Sequence, residues 1–169
     1  LYFLDRLHFD GIRYDAVSQM IRRDQTEIPN AIAFLRDLNH TIHTHYPGVL
    51  CIAEETEGYP NVNRVMNFDS KWNFGWSNDA RKFLRTPYAE RPGHWKQKIL
   101  DVLNCARWSE DNMISTISHD DTDAHPLRGT NVLLHCASHA QNPMEKFADL
   151  RSFFAWQRCL PSRGYLLHM

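Results

Sequence analysis

The 169-residue sequence predicts an α/β fold, a parallel sheet with helices outside it. Three observations carry this. Apolar runs of strand length alternate with segments of helical period along most of the chain. A strand, a helix and a second buried strand fit between Phe9 and Ala53, the size of a βαβ unit. Three of the strands run into acids, Asp15, Glu54 and Asp120, as strands pointing one way at a common mouth would.

Leu1, Leu4 and Leu7 recur at helical spacing, so the chain opens with a helix over Leu1 to His8. The stretch from Phe9 to Val17 reads as a short strand after an Asp-Gly turn. Alternation sends Arg13 and Asp15 to one face, and Ile12 and Tyr14 to the other. A guanidinium next to a carboxylate favours its ionised form, which suits a nucleophile that attacks carbon. Taken alone, the Asp-Gly-x-Arg-x-Asp run would equally describe a surface ion pair.

Ser18 to Glu27 is a mixed polar connector. Pro29 to His43 carries Ile32, Leu35, Leu38 and Ile42 as the stripe of a helix, closed by Pro47-Gly48. Val49 to Ala53 is an apolar strand ending at Glu54-Glu55, and alternation makes Glu54 the acid on the active face and Glu55 a supporting one. A third strand is expected near Val65 to Phe68, before the aromatic run Lys71 to Trp76. Trp95 to Ala106 has one apolar helical face. Asn112 to Ser118 is a fourth strand leading into His119 and Asp120. Thr122 to Gln141 reads as a long loop. Asn142-Pro143 starts a helix that Pro161 stops, and Gly164 to His168 opens a fifth strand.

Composition bounds the function. Apolar residues make up 43% and charged residues 23%, enough for an ordinary packed core. A net charge of −1 with scattered charges argues against nucleic acid or an anionic membrane as partner. No apolar run has the length of a membrane span, and no signal-peptide pattern opens the chain. Cys51, Cys105, Cys136 and Cys159 are far apart and read as reduced thiols of a cytoplasmic protein. Both ends lie inside structured patterns, so the chain reads as one piece, residues 1–169, of a longer catalytic domain.

Converging carboxylates are what retaining glycoside chemistry requires: a nucleophile, a general acid and base, and a further anion beside a cationic transition state. Crowded like charges also keep one carboxyl protonated near neutral pH. Asp10-Gly11-x-Arg13-x-Asp15, Ala53-Glu54-Glu55 and His119-Asp120, in that order, resemble three conserved regions of the α-amylase family. Ala33 to Asn39, Pro47-Gly48-Val49, Phe68-x-x-Lys71-Trp72-Asn73-x-Gly75-Trp76 and Lys146 to Arg151 are similar to the bacterial glycogen (1,4-α-glucan) branching enzymes.

The resemblance implies a (β/α)8 TIM barrel, present as a partial barrel of roughly strands 4 to 8. It makes Asp15 the nucleophile, Glu54 the general acid and base, and Asp120 the transition-state stabiliser. Arg13 would orient Asp15, His119 would bond sugar hydroxyls, and Trp72 is open to either sugar stacking or packing, while Trp76 reads as packing. The implied substrate is an α-1,4-glucan or glycogen, the implied reaction transfer of a chain to a 6-hydroxyl. No metal or organic cofactor is implied, and the longer parent would be a monomer. Hydrolysis by the same acids, or an inactive remnant, are the alternatives.

Two departures stand out. Asp121 occupies the place of a family Glu, and the run beyond it has drifted, which bears on acceptor binding. The family's Asn-His region would lie upstream of Leu1. The metal-like spacings of His40, His43 and His45, and of His135-Cys136-x-x-His139, read as incidental, the first as an exposed helix end because no cysteine or carboxylate completes a set, the second because it sits in the loop that has drifted most.

Overall fold

The computed structural model describes residues 1–93, 113–118, 136, 142–159 and 164–167. The helix expected at Trp95 to Ala106, the acids' neighbourhood at His119 and Asp120, and nearly all of the Thr122 to Gln141 loop lie outside the described residues. The chain is a mixed α/β structure with parallel strand pairs, divided into two compact units.

The first unit is built around three parallel strands. Helix α1 (Tyr2–Leu7) stops at His8, whose left-handed backbone (φ 53°) turns the chain into β1 (Gly11–Tyr14). Helix α2 (Val17–Ile21) and a two-stranded hairpin, β2 (Arg22–Arg23) and β3 (Thr26–Glu27), occupy the connector. Asp24 and Gln25 both take positive φ, 49° and 65°, as a two-residue hairpin turn demands. The residue pair lacks the glycine that usually signals such a turn, so the hairpin was hidden in the sequence.

Helix α3 (Pro29–His45) buries Leu35, Asn39 and Ile42 against the strands. The amide of Asn39 donates to the carbonyl of Met66 at 2.8 Å, tying this helix to the next. Strand β4 (Leu50–Ala53) pairs in parallel with β1, from Gly11 opposite Leu50 to Tyr14 opposite Ala53.

The strand expected at Val65 to Phe68 is absent. A helix, α4 (Val62–Met66), stands there, and the strand β5 (Ser70–Asn73) comes later. Asn61 and Asn67, both left-handed, start and stop α4, and Val62 and Met66, four apart, share its buried face. Short apolar runs fit either period, and here the flanking asparagines decided. Strand β5 pairs in parallel with β4, with Ala53 opposite Lys71. Val17, Ile21, Leu35, Ile42, Cys51, Ala53, Val62, Met66 and Phe68 form the core of this unit.

In the second unit, helix α5 (Phe74–Arg85) begins where the Asn73 side chain accepts the N–H of Trp76 at 3.0 Å. Helix α6 (Pro143–Arg158) is capped by Asn142, as its sequence announced. Trp76 is 2% exposed and stacks on Phe153 at 5.6 Å, so it is a packing residue. Arg91 forms a bidentate pair with Asp149 at 2.7 and 2.9 Å, beside a cavity of about 260 Å³ lined largely by Phe83, Leu84, Phe153 and Trp156. Strands β6 (Met113–Ser118) and β7 (Gly164–Leu167) pair in parallel. No helix among the described residues is long and apolar enough to cross a membrane.

Asn39→Ala leaves the buried Met66 carbonyl without its donor, and should destabilise the first unit by about 1–3 kcal/mol. The check is the shift of the urea midpoint against the wild type; an unchanged midpoint would show that water replaces the bond freely.

Candidate active site

The register dictates what meets what. With Tyr14 opposite Ala53, the residues that follow, Asp15 and Glu54, emerge side by side at the C-terminal ends of β1 and β4. With Ala53 opposite Lys71, Trp72 falls in the same lateral row. Parallel strands place such a row at one end of the sheet.

Arg13 joins the row into one constellation. One of its terminal nitrogens lies 2.5 Å from Asp15 and the other bonds Glu54. Its guanidinium stacks 4.4 Å above the ring of Trp72. Arginine suits this position because its planar fork serves two carboxylates while its face meets an aromatic ring. One face of Trp72 is therefore already covered, and the residue is 9% exposed. The Nε–H of Arg13 is buried and has no partner among the described residues.

The two carboxylates differ in environment. The Asp15 side chain is 73% exposed, that of Glu54 only 6%. Burial raises the pKa of Glu54 above its ordinary 4.5, and the hydrogen bond and like charge of Asp15 add to this. The Ala16 N–H, donating to the Glu54 carboxylate at 3.1 Å, and the Arg13 guanidinium act in the opposite sense.

Neighbouring loops fix Glu54. Its N–H donates to the Tyr14 carbonyl at 3.0 Å, and its carbonyl accepts from Val17 at 2.8 Å. Beyond it, the hydroxyls of Ser18 and Thr56 bond at 3.0 Å, and Gln19 donates to Glu57 at 3.0 Å. Arg22 lies 3.6 Å from Glu57 and 4.9 Å over the ring of Tyr59. The mixed connector after β1 thus clamps the loop after β4, a role its sequence did not reveal.

Glu55, equally buried, accepts the backbone N–H groups of Glu57 and Tyr59, both at 2.8 Å. It shapes the loop. Of the residues predicted for the site, Arg13, Asp15, Glu54 and Trp72 are brought together. His119 and Asp120 lie outside the described residues.

No family model matches the chain. A 1,4-alpha-glucan branching enzyme of Xanthomonas oryzae pv. oryzae is 33% identical over 92% of this chain and 23% of its own length. By sequence, the chain is a relative of the 1,4-alpha-glucan branching enzymes. That of Nitrosospira multiformis is 32% identical over 96% of this chain and 23% of its own. The Burkholderia thailandensis enzyme is 34% identical over 98% and 21%. The chain spans less than a quarter of the length of these branching enzymes.

The raised Glu54 pKa has a definite pH signature. Above pH 4.5 the folded carboxyl holds protons that the unfolded one has lost. Its contribution to stability is full below pH 4.5 and is lost as pH rises through the folded value. In Glu54→Gln that slope disappears, so the variant's urea midpoint should gain on the wild type's from mildly acidic to neutral pH. Parallel curves would show that Glu54 titrates alike in both states.

Proposed function

We propose that this sequence supplies the nucleophile and the acid–base of a 1,4-α-glucan branching site, set in a (β/α)8 barrel of the α-amylase family. The observation that carries the reading is one guanidinium shared by an exposed and a buried carboxylate at adjacent strand ends. Carboxyls bridged by a single guanidinium are close, as in retaining enzymes, where the pair stands about 5–5.5 Å apart. The names of the relatives support the choice of branching over hydrolysis.

Asp15, exposed and paired with Arg13, attacks the anomeric carbon of an α-1,4-glucan. Glu54, whose burial favours its protonated form, gives its proton to the departing glycosidic oxygen. A 6-hydroxyl of another glucan then loses its proton to Glu54 and attacks the glycosyl ester, releasing Asp15 and forming an α-1,6 branch. Neither step calls on a metal or an organic cofactor. Arg13 holds the two acids together at the strand ends, and its guanidinium stacks on Trp72. The resemblance assigns Asp120 to the cationic transition state and His119 to the sugar hydroxyls. An α-glucan is the sole partner this scheme requires.

In a catalytically competent protein carrying this sequence, Asp15→Asn and Glu54→Gln should each slow branching by roughly 10²–10⁴-fold with the fold intact. Loss of iodine colour from amylose and the growth of α-1,6 linkages by NMR are the measurements. Full activity in Glu54→Gln with none in Glu55→Gln would move the acid by one residue. New reducing ends without α-1,6 linkages would make the activity hydrolytic.

A further inference from the structure

Three side chains far apart in sequence meet beside the N-terminal end of β4, away from the acids. They are His43 on the last turn of α3, Cys51 in β4, and Asp69 just before β5. His43 Nε2 lies 2.9 Å from Asp69 Oδ2, and all three ligand atoms lie within 4.8 Å of one another. Ligand atoms around a tetrahedral zinc stand roughly 3.3–3.6 Å apart, given bond lengths of about 2.0–2.3 Å. We infer that His43, Cys51 and Asp69 form a structural site for Zn²⁺, clipping the end of α3 and the start of β5 onto β4.

A hydrogen-bonded hook explains part of the arrangement without a metal. Asp69 accepts the backbone N–H of Cys51 at 2.7 Å and bonds His43. It does not explain why a thiol stands at the same point, since the hook uses only the backbone of residue 51. Cys51 is fully buried, while the His43 and Asp69 side chains are 32% and 35% exposed, so an ion can enter past them from solvent.

A second observation comes from Tyr14. Its hydroxyl is buried, has no hydrogen-bond partner placed among the described residues, and is close enough to the Cys51 thiol for the two to influence each other. A thiolate at Cys51 would give that hydroxyl an acceptor, the kind of outer contact that holds a metal ligand in place. On binding, the Cys51 proton leaves to solvent, His43 binds through Nε2 with its proton on Nδ1, and Asp69 supplies a carboxylate oxygen. Water completes the tetrahedron. Thiolate, imidazole and carboxylate together suit zinc better than magnesium or calcium, which take oxygen ligands.

Cobalt(II) is a coloured probe for such a site. Titrated into the purified, reduced chain, it should bind once and give a thiolate-to-cobalt charge-transfer band with the visible bands of a tetrahedral ion, both abolished by added Zn²⁺. The band should be lost in Cys51→Ala and kept in Cys159→Ala. His43→Gln keeps a side-chain donor for Asp69, and so preserves the hook while removing the metal ligand. It should fold, show no band, and lose the rise in melting temperature that Zn²⁺ gives the wild type. If Cys51→Ala does not fold, His43→Gln decides the matter. Absence of the band in the wild type, or its survival in His43→Gln, would overturn the proposal and leave the cluster a hydrogen-bonded hook.

Discussion

Glu54 can be buried only because Arg13 reaches it. A carboxylate taken out of water without a partner either costs several kcal/mol or stays protonated. At Glu54 the cost is shared between a guanidinium and one backbone N–H, from Ala16. That pairing constrains β1 strongly. Arg13 must face the strand-end row, so Ile12 and Tyr14 must face the core, and Tyr14 does, packing edge-on against Phe68 at 5.0 Å. A slip of one residue in the pairing of β1 and β4 would send Arg13 inward and leave Glu54 alone.

The same logic separates two adjacent acids that sequence cannot rank by type. Glu54 and Glu55 are 4% and 3% exposed. What distinguishes them is their partners. Glu55 has both oxygens committed to backbone N–H groups of its own loop, so its charge is tied to a turn. Glu54 answers to a cation and to a second carboxylate, both of which a substrate can disturb.

The parts of this fold that were legible in the sequence are those where a local signal and the packing agree. Asn142 and Pro143 announce α6, the stripe through Leu35 and Ile42 announces α3, and the apolar run before Glu54 announces β4. Where the signal was local but the decision was not, the reading failed. Val65 and Met66 fit a strand until Asn61 and Asn67 bend the chain on either side of them. The hairpin at Arg22 to Glu27 rests on positive φ at Asp24 and Gln25, residues that advertise no such turn. Asp15 and Glu54 could be singled out because each directly follows a strand, and the family resemblance put them in one site. The clamp formed by Ser18, Gln19 and Arg22 could not, because its partners Thr56, Glu57 and Tyr59 are loop residues more than thirty positions away, with no period to mark them.

Strand β4 is only four residues long, and a strand that short does not position the Glu54 carboxyl by itself. It is held at both ends instead. At its start, Leu50 donates to the Asp10 carbonyl at 3.0 Å, and Cys51 donates to the Asp69 carboxylate at 2.7 Å. Past its end, Glu54 donates to Tyr14 and accepts from Val17. Gly11 belongs to the same device: a side chain there would meet the Leu50 carbonyl at 3.1 Å and press the two strands apart. Since Arg13 bonds Glu54 across those strands, any widening at Gly11 is felt two residues later as a longer reach for the guanidinium. The closeness of two backbones at one end of the pair thus sets the separation of two carboxylates at the other.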